Sequence, residues 1–541
     1  MTDPAALMEH AALIAGLRDP AAYPHAVDAV EVIETHISSV LLAGAFAYKV
    51  KKPVDLGFLD FTSLERRRRY CEEELRLNRR GAPQLYLDVV PITGTPRAPR
   101  LGTGAGPAIE YAVRMRRFPA GMRLDEVART GRLTGAHIDR LAEAIAAYHA
   151  RAAPAPSGSG LGTPEMIWRW AQDNLASLEA GVRGPGEARR VGRLRAWSEA
   201  EFARRAGLFE QRRSTGRVRE CHGDLHLGNL VLIDGEPVPF DCIEFNIELR
   251  FIDVLSDVAF AFMDLLDHRL APLAWRFLSA YLERSGDYEG LATTRFYAVY
   301  RALVRAKIAM IRRGQPDADA GERAAGMAAL RRYIAVALAL CAPSEPRLVL
   351  TTGLSGSGKT TVAGMLCERM GAVRLRSDLE RKRLYGVAPG DHAGAAAALE
   401  AGLYDPDATR RTYARLAELA AAALDDGVSV VVDAAFLLRG QREPLLALAR
   451  ARGLPCNIVE CVASPATLRA RVQARLEGGA DPSDATLSVL EHQVATRDPL
   501  SSEEASLARR VDTDVEPGAL QSWCARLARE WSQARATGGG Y

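Results

Sequence analysis

Apolar and polar positions follow one pattern in the first two thirds of the chain and another in the last third. Early on, short apolar runs with a period near two recur at 39–42 and 46–50, around a small turn at Ala43, Gly44 and Ala45, and again at 86–92 and 109–115. That is the pattern of half-buried strands. Residues 63–80 interrupt it as a densely charged stretch that reads as a helix. A Pro/Gly/Ser loop at 153–162 is followed by helical patterning over 164–215, a hairpin over 230–240 and further helices over 250–340. At 341–346 the pattern resets. Strands at 347–352, 372–375, 428–433, 456–462 and 509–512 then alternate with helices at 359–370, 409–425, 440–452 and 464–476. Strands separated by helix-length segments predict a parallel α/β sheet. The domains are therefore expected at 1–340 and 347–541, joined by a connector at 341–346.

Composition changes this picture little. A chain of 541 residues exceeds one hydrophobic core, and its 48% apolar and 25% charged content is that of a globular protein. The 70 basic and 67 acidic residues nearly cancel, so charge gives no reason to expect nucleic acid or membrane as a partner. The eight cysteines form no C-x-x-C pair, which fits reduced thiols. With Asp3, Glu9 and His10 near the start there is no signal-peptide pattern, and no uncharged apolar run reaches about 18 residues. A soluble, cytoplasmic protein is expected. One count matters more: only six of the basic residues are lysines, Lys49, Lys51, Lys52, Lys307, Lys359 and Lys382. Ammonium and guanidinium are not interchangeable beside a phosphate, so the retained lysines point to phosphate or substrate sites.

Gly353 to Thr360 reads G-x-x-x-x-G-K-T after an apolar strand and at the start of a helix, the context this motif requires. Gly353, Ser355, Gly356, Ser357 and Gly358 would present backbone N–H groups to phosphate oxygens, with Thr361 just inside the helix. Lys359 would reach the β/γ-phosphates and the Thr360 hydroxyl would ligate Mg2+. Asp378 follows the second strand, where a carboxylate can accept a proton from an acceptor hydroxyl. Asp433 ends the strand VSVVVD, placed to hold metal-bound water or orient the acceptor. Arg471 and Arg475, four apart on a helix, share a side and could clamp a transferring phosphate.

In the first domain, His222, Asp224, His226 and Asn229 form H-G-D-x-H-x-x-N, and Asp224 and Asn229 have the D-x-x-x-x-N spacing of a phosphotransferase catalytic loop. There Asp can take the acceptor's proton and Asn can bind metal. A two-residue turn at Asp234 and Gly235 pairs Ile233 with Glu236, sets Asn229 opposite Phe240, and brings Asp241 beside Asn229 as a second metal ligand. Pro237 and Pro239 imply an edge strand.

This segment resembles the aminoglycoside phosphotransferase-like group of the protein-kinase-like fold. The resemblance implies a two-lobed α+β domain, with an N-lobe over about 1–115 and a C-lobe over about 116–340. It implies Asp224 as catalytic residue, Asn229 and Asp241 as metal ligands, and His222 and His226 as scaffold. It also implies an upstream lysine paired with a helical glutamate: Lys49, with Lys51 on the same strand face, and Glu73, with Glu72 and Glu74 as rivals. The G-x-G-x-x-G loop of protein kinases is missing and D-C-I-E stands in place of D-F-G, which argues against a protein substrate. Residues 347–541 resemble P-loop kinases of the gluconate kinase and zeta-toxin-like group, on the P-loop, S-D-x-x-R-K, V-V-D, the arginine-bearing helix and Asp481 and Asp484 after it. Together the chain resembles bacterial two-domain proteins joining a phosphotransferase-like domain to a P-loop, AAA-type ATP-binding domain. The implied activity is MgATP-dependent phosphorylation of a small hydroxylated metabolite, such as a sugar or amino sugar. The alternatives are a nucleotide sensor in which one domain controls the other, and a nucleic-acid end kinase, which the balanced charge disfavours. No motif encodes the acceptor or the oligomeric state.

Overall fold

The computed structural model describes residues 3–57, 59–102, 106–314, 319–387, 405–478 and 486–537. Its first sheet has six antiparallel strands: β1 (Val30–Glu34), β2 (Ser38–Ala43), β3 (Phe46–Lys51), β4 (Tyr86–Thr95), β5 (Ala98–Leu101) and β6 (Glu110–Arg116). Their order is β1-β2-β3-β6-β4-β5. Period-two alternation sorts the side chains of β3 between the two faces. Tyr48 and Val50 join the core with Leu13 and Ile14 of helix Pro4–Gly16 and with Leu17 just past its end, so Lys49 and Lys51 must point to the other face. Helix α1 (Leu64–Asn78) covers part of that face, with Cys71 packed beside Tyr86 and Val113. Ser63 starts α1 by accepting from the Arg66 N–H. Helix Pro4–Gly16, β1 and β5 add to the elements read from the sequence. β1 and β5 are short, and carry Glu31 and Glu34 or a proline, which mask their period.

Farther along, β7 (Leu230–Ile233) and β8 (Glu236–Pro239) form the expected hairpin. Asp234 (φ 52°) and Gly235 (φ 81°) both take the left-handed backbone of a type I′ turn. Ile233 pairs with Glu236, Leu232 with Pro237 and Leu230 with Pro239, and Phe240 N–H donates to the Asn229 carbonyl at 3.0 Å. Both prolines thus fall at non-hydrogen-bonded positions, where the missing N–H costs nothing. Helices α2 (Val254–Asp267), α3 (Ala271–Ser285) and α4 (Leu291–Arg313) come next.

A second sheet is wholly parallel. It consists of β9 (Leu348–Thr352), β10 (Ala372–Arg376), β11 (Ser429–Asp433), β12 (Cys456–Val462) and β13 (Ala508–Asp512), in the order β10-β11-β9-β12-β13. Every residue of β9 and β11 is buried, which explains why they read as unbroken apolar runs rather than alternations. α5 (Lys359–Met370) follows β9, α6 (Ser377–Leu384) follows β10, and α7 (Pro465–Gly478) follows β12. The fold class is mixed: a kinase-like first part and a P-loop-type parallel α/β second part.

Packing divides the chain into two compact units, Met1–Asp264 with Tyr300–Arg331, and Leu265–Val299 with Arg332–Tyr541. Helix α3 therefore packs with the parallel sheet although it precedes 341–346. Among the described residues one helix, Ala320–Cys341, is long and apolar enough to cross a membrane by length and composition. Its Leu330, Tyr333, Ile334 and Ala337 are buried along one face.

Candidate active sites

In the first unit, β3 delivers Lys49 into a cluster of buried charges. Its Nζ donates to Glu74 Oε1 at 2.8 Å and to Asp241 Oδ1 at 2.5 Å. Lys51 Nζ donates to the other oxygen of Glu74 at 2.7 Å and pairs with Glu244. One helical carboxylate thus bridges two lysines. These partners outweigh burial and hold both ammonium groups above their ordinary range, while burial of Glu74 is outweighed by Lys49 and Lys51, which hold its carboxyl down at about 2. Burial raises Glu244, whose partner is Lys51 and whose neighbour Glu74 repels it.

The lysine's partner is Glu74, not Glu73. Glu73 accepts from Arg76 at 2.7 and 2.8 Å and from Arg250 at 2.8 Å, and Glu72 pairs with Arg68 on the surface. Helical spacing is the reason. The buried stripe of α1 runs Arg67, Cys71, Glu74, Asn78, steps of four, three and four, and Glu73 is rotated off it. Glu74→Gln is expected to weaken ATP affinity about tenfold or more, by loosening Lys49, the lysine expected to meet phosphate. Glu73→Gln should change it less than threefold, and binding calorimetry on the two variants compares them directly.

Asp241 sits just past β8 with φ 62°, a left-handed conformation that Asp tolerates, and donates its N–H to Tyr86 Oη at 3.0 Å. Asp224 and Asn229 face each other: Asn229 Nδ2 donates to the Asp224 carbonyl at 3.0 Å and to Asp224 Oδ2 at 2.9 Å. The Asn229 side-chain oxygen, Oδ1, is then the atom it can offer a cation. His226 Nδ1 accepts from Gly228 N–H at 3.0 Å, so Nε2 carries the proton and lies 3.4 Å from Asp224 Oδ2. Burial lowers the His222 imidazole below its ordinary range. Its Nε2 donates to the Phe240 carbonyl at 2.9 Å and its Nδ1 accepts from Asp224 N–H at 3.3 Å. Both histidines shape the loop, and His226 also touches the carboxylate. Burial would raise Asp224, but His226, Arg305 and His222 outweigh it and keep the carboxyl well below the usual range. Asp224 is ionised at neutral pH, with Oδ1 the oxygen not taken up by Asn229 and His226.

In the second unit the phosphate loop needs its glycines. At Gly353 (φ 147°) a Cβ would fall 2.4 Å from the Cys461 carbonyl, and at Gly356 (φ 82°) 2.8 Å from that of Leu468. Lys359 Nζ donates to the Leu354 carbonyl at 2.8 Å, across the mouth of the loop. Burial, with Arg475 acting in the same direction, lowers the Lys359 ammonium, while Asp433 and Asp378 oppose this. Asp433 is buried at the end of β11 and its carboxyl is raised by that burial. Arg376, Arg374, Lys359 and the Thr360 hydroxyl act against that rise, and Asp433 Oδ2 lacks a hydrogen-bond partner. A buried carboxylate oxygen without a donor, next to a P-loop threonine, suits a hard cation with oxygen ligands such as Mg2+. Asp378 lies half-buried at the start of α6, and Thr361 is exposed. Ser355 and Ser357 are buried in the loop.

Arg471 does not have the clamping place expected for it. Its guanidinium donates to the carbonyls of Gly356 at 3.2 Å and Thr513 at 2.7 Å and to Thr513 Oγ1 at 2.9 Å. A guanidinium spread over two backbone carbonyls and the Thr513 hydroxyl braces the loop. Arg475, one turn on, is the arginine whose charge reaches Lys359. Asp481 and Asp484 lie outside the described residues.

The Phosphotransferase enzyme family matches residues 61–297, and an AAA domain family matches 348–500. Curated relatives from Mycobacterium bovis and from two strains of Mycobacterium tuberculosis, each described as an uncharacterized protein, are 31% identical over 452 residues, 84% of this chain and 87% of theirs. This chain belongs to their family. It is a kinase-type phosphotransferase that uses ATP, with a phosphotransferase-family domain and a P-loop domain in one polypeptide. Among solved structures, a choline/ethanolamine kinase family protein from Mesorhizobium loti is 15% identical, covering 61% of this chain and 99% of its own at a TM-score of 0.35. A gluconokinase from Sinorhizobium meliloti is 21% identical, covering 35% of this chain and 97% of its own at a TM-score of 0.25.

Several residues that support the phosphotransferase loop carry no motif. Asp257 accepts from the N–H groups of His222 at 2.8 Å and Gly223 at 2.9 Å, and Asp264 accepts from Leu227 N–H at 2.9 Å. Arg301 donates to the Gly223 carbonyl at 2.9 Å. A signal did exist: Asp257 and Asp264 stand seven apart on one face of the apolar helix α2, and carboxylates there need a designated donor. Glu244 is the other unforeseen member, four residues from Phe240 at the end of D-C-I-E.

Proposed function

We propose that this protein phosphorylates a small hydroxylated metabolite, such as a sugar or amino sugar, with MgATP, and that it binds ATP in both domains, along the chain 1–340 and 347–541, with a connector at 341–346. A cytoplasmic location fits such a substrate. The observation that carries the reading is the convergence of Lys49, Glu74, Asp224, Asn229 and Asp241 from separate elements of one unit, each with the role its chemistry suits.

In the first domain Lys49, braced by Glu74, would meet the nucleotide phosphates. Asn229 and Asp241 would hold Mg2+, which neutralises phosphate charge when bound. Asp224 Oδ1 would orient the acceptor hydroxyl and accept its proton as the acceptor oxygen bonds to phosphorus and the bond to the ADP oxygen breaks. In the second domain Thr360 and Asp433 would hold the cation, Lys359 would contact the β/γ-phosphates and Asp378 would receive the acceptor's proton. Serving two acceptors, or two steps on one, would give each site its own pocket.

Site counting tests the reading. Wild type is expected to bind two ATP in the presence of Mg2+, by isothermal calorimetry. Asp241→Ala should remove one and Lys359→Ala the other, since each deletes a contact the remaining domain does not share. A wild type that binds a single ATP would refute two-site binding, and loss of both sites in either variant would refute their independence. ATP consumption across a panel of sugars, amino sugars and nucleosides then identifies the acceptor.

A further inference from the structure

The P-loop site contains one carboxylate that the P-loop family match does not span. Helix α3 lies within the sequence matched to the phosphotransferase family, yet it packs in the unit of the parallel sheet. Its residues Trp275, Ser279 and Glu283 are spaced by four and share a face. β10 is an edge strand, and edge strands leave backbone groups unpaired. Here Ser279 Oγ accepts from Arg374 N–H at 2.8 Å and Tyr288 Oη donates to the Arg374 carbonyl at 3.2 Å. A Cβ on Gly371 would meet Trp275 Nε1 at 3.0 Å, so the approach of the helix is close.

Glu283 does something different. Both of its oxygens bond the Arg374 guanidinium, at 2.7 and 3.0 Å, and Arg374 also donates to the carbonyl of Thr360 at 3.1 Å. Arg376, next on the same face of β10, lies between two carboxylates, 3.9 Å from Glu283 and 3.7 Å from Asp433. All these side chains are largely buried. Lys359, Arg374 and Arg376 are three cations around Asp433, a single carboxylate that the proposed reading needs for Mg2+. Without Glu283, Arg376 keeps Asp433 as its ion-pair partner among the described residues and would close on it, taking the oxygen a metal requires.

We propose that Glu283 is a positioning residue of the P-loop site: by pairing Arg374 and sharing Arg376 with Asp433 it keeps Arg376 from closing on that carboxylate and leaves it open to the divalent cation of MgATP. This rests on the reading of that site as an ATP site. The P-loop domain then depends, for its metal, on a helix encoded within the phosphotransferase half.

The test uses the full chain carrying Asp241→Ala, so that the P-loop supplies the ATP site measured, and compares ATP affinity with Mg2+ and with EDTA by calorimetry. Removing an outer-shell partner commonly costs about 10- to 100-fold in metal affinity. Glu283→Gln is expected to reduce the Mg2+-dependent gain in affinity about tenfold and to leave metal-free ATP binding within twofold. Adding Arg376→Gln should restore most of the loss, because the cation released onto Asp433 is gone; a purely structural role for Glu283 would show no such rescue. Arg376→Gln alone, which keeps the Glu283–Arg374 pair, should leave the gain intact. Glu283→Gln with an unchanged Mg2+-dependent gain, a double variant with no recovery, or Arg376→Gln losing the gain by itself would each overturn the proposal. If Lys359→Ala removes no ATP binding from the parent chain, the ATP-site reading fails first, and the two failures are told apart.

Discussion

Asp224→Asn, made in a chain whose P-loop carries Lys359→Ala, is expected to bind MgATP nearly as tightly as its parent and to lose about 10²- to 10⁴-fold in turnover. The nucleotide contacts proposed for this domain come from Lys49, Asn229 and Asp241, and the substitution removes none of them. What it removes is the anionic Oδ1 aimed at the acceptor. Asparagine can still occupy the place and accept from Asn229 or His226, so the loop keeps its shape, but an amide cannot take a proton. The carboxyl lies well below the usual range because His226, Arg305 and His222 outweigh its burial. Asp224 is therefore ionised throughout the neutral range, and its own titration should put no acid limb into the rate profile above about pH 5. His226→Asn should be milder, since Asn229 still holds Oδ2. Steady-state turnover with the acceptor from the screen, beside calorimetric affinity, separates the two effects. Full turnover in Asp224→Asn would remove it from catalysis and make the domain a nucleotide-binding regulator.

The largest stability effect is expected at Lys51. Its side chain is fully buried, as is that of Glu74, and Glu244 is 2% exposed. Lys51→Met fills much of the same volume but leaves Glu244 buried without its cation and Glu74 with half its compensation. Breaking a buried pair from one side costs about 3–5 kcal/mol, to be read as a shift in the urea midpoint of the first unit. Lys51→Met combined with Glu244→Leu should recover much of that loss, since replacing both partners by apolar groups removes the unpaired charge. A single variant within about 1 kcal/mol of wild type would mean that water reaches Glu244.

How much of the fold and its sites is legible in the sequence depends on range along the chain. The P-loop is a contiguous motif whose positive φ values at Gly353, Gly356 and Gly358 belong to the loop itself, so Gly353 to Thr360 could be read as they stand, although the atoms that exclude a Cβ at Gly353 and Gly356 include ones from Cys461 and Leu468. The Asp224–Asn229–Asp241 arrangement was also local. The Asp234–Gly235 turn sets the hairpin register, and register carries Asp241 back to Asn229. Lys49 and Lys51 were placed on one face by strand period alone. Glu74 was a narrower miss: periodicity allowed three glutamates, and the choice among them needed the buried stripe of α1, which a charge-dense sequence hides.

Other features had no local expression. Whether Arg471 clamps a substrate or braces a loop depends on Thr513, which is 42 residues away, and α-helical spacing says nothing about what lies opposite. Helix α3 reads as one more helix of the first half, yet its Ser279 and Glu283 serve β10, about 90 residues later. By itself the sequence determined the two folds, the phosphate loop and the catalytic loop, because turn chemistry, strand period and helix starts act over a few residues. Only the tertiary structure decided which carboxylate meets which cation, because a buried charge is settled by all the groups packed around it, and those come from distant parts of the chain.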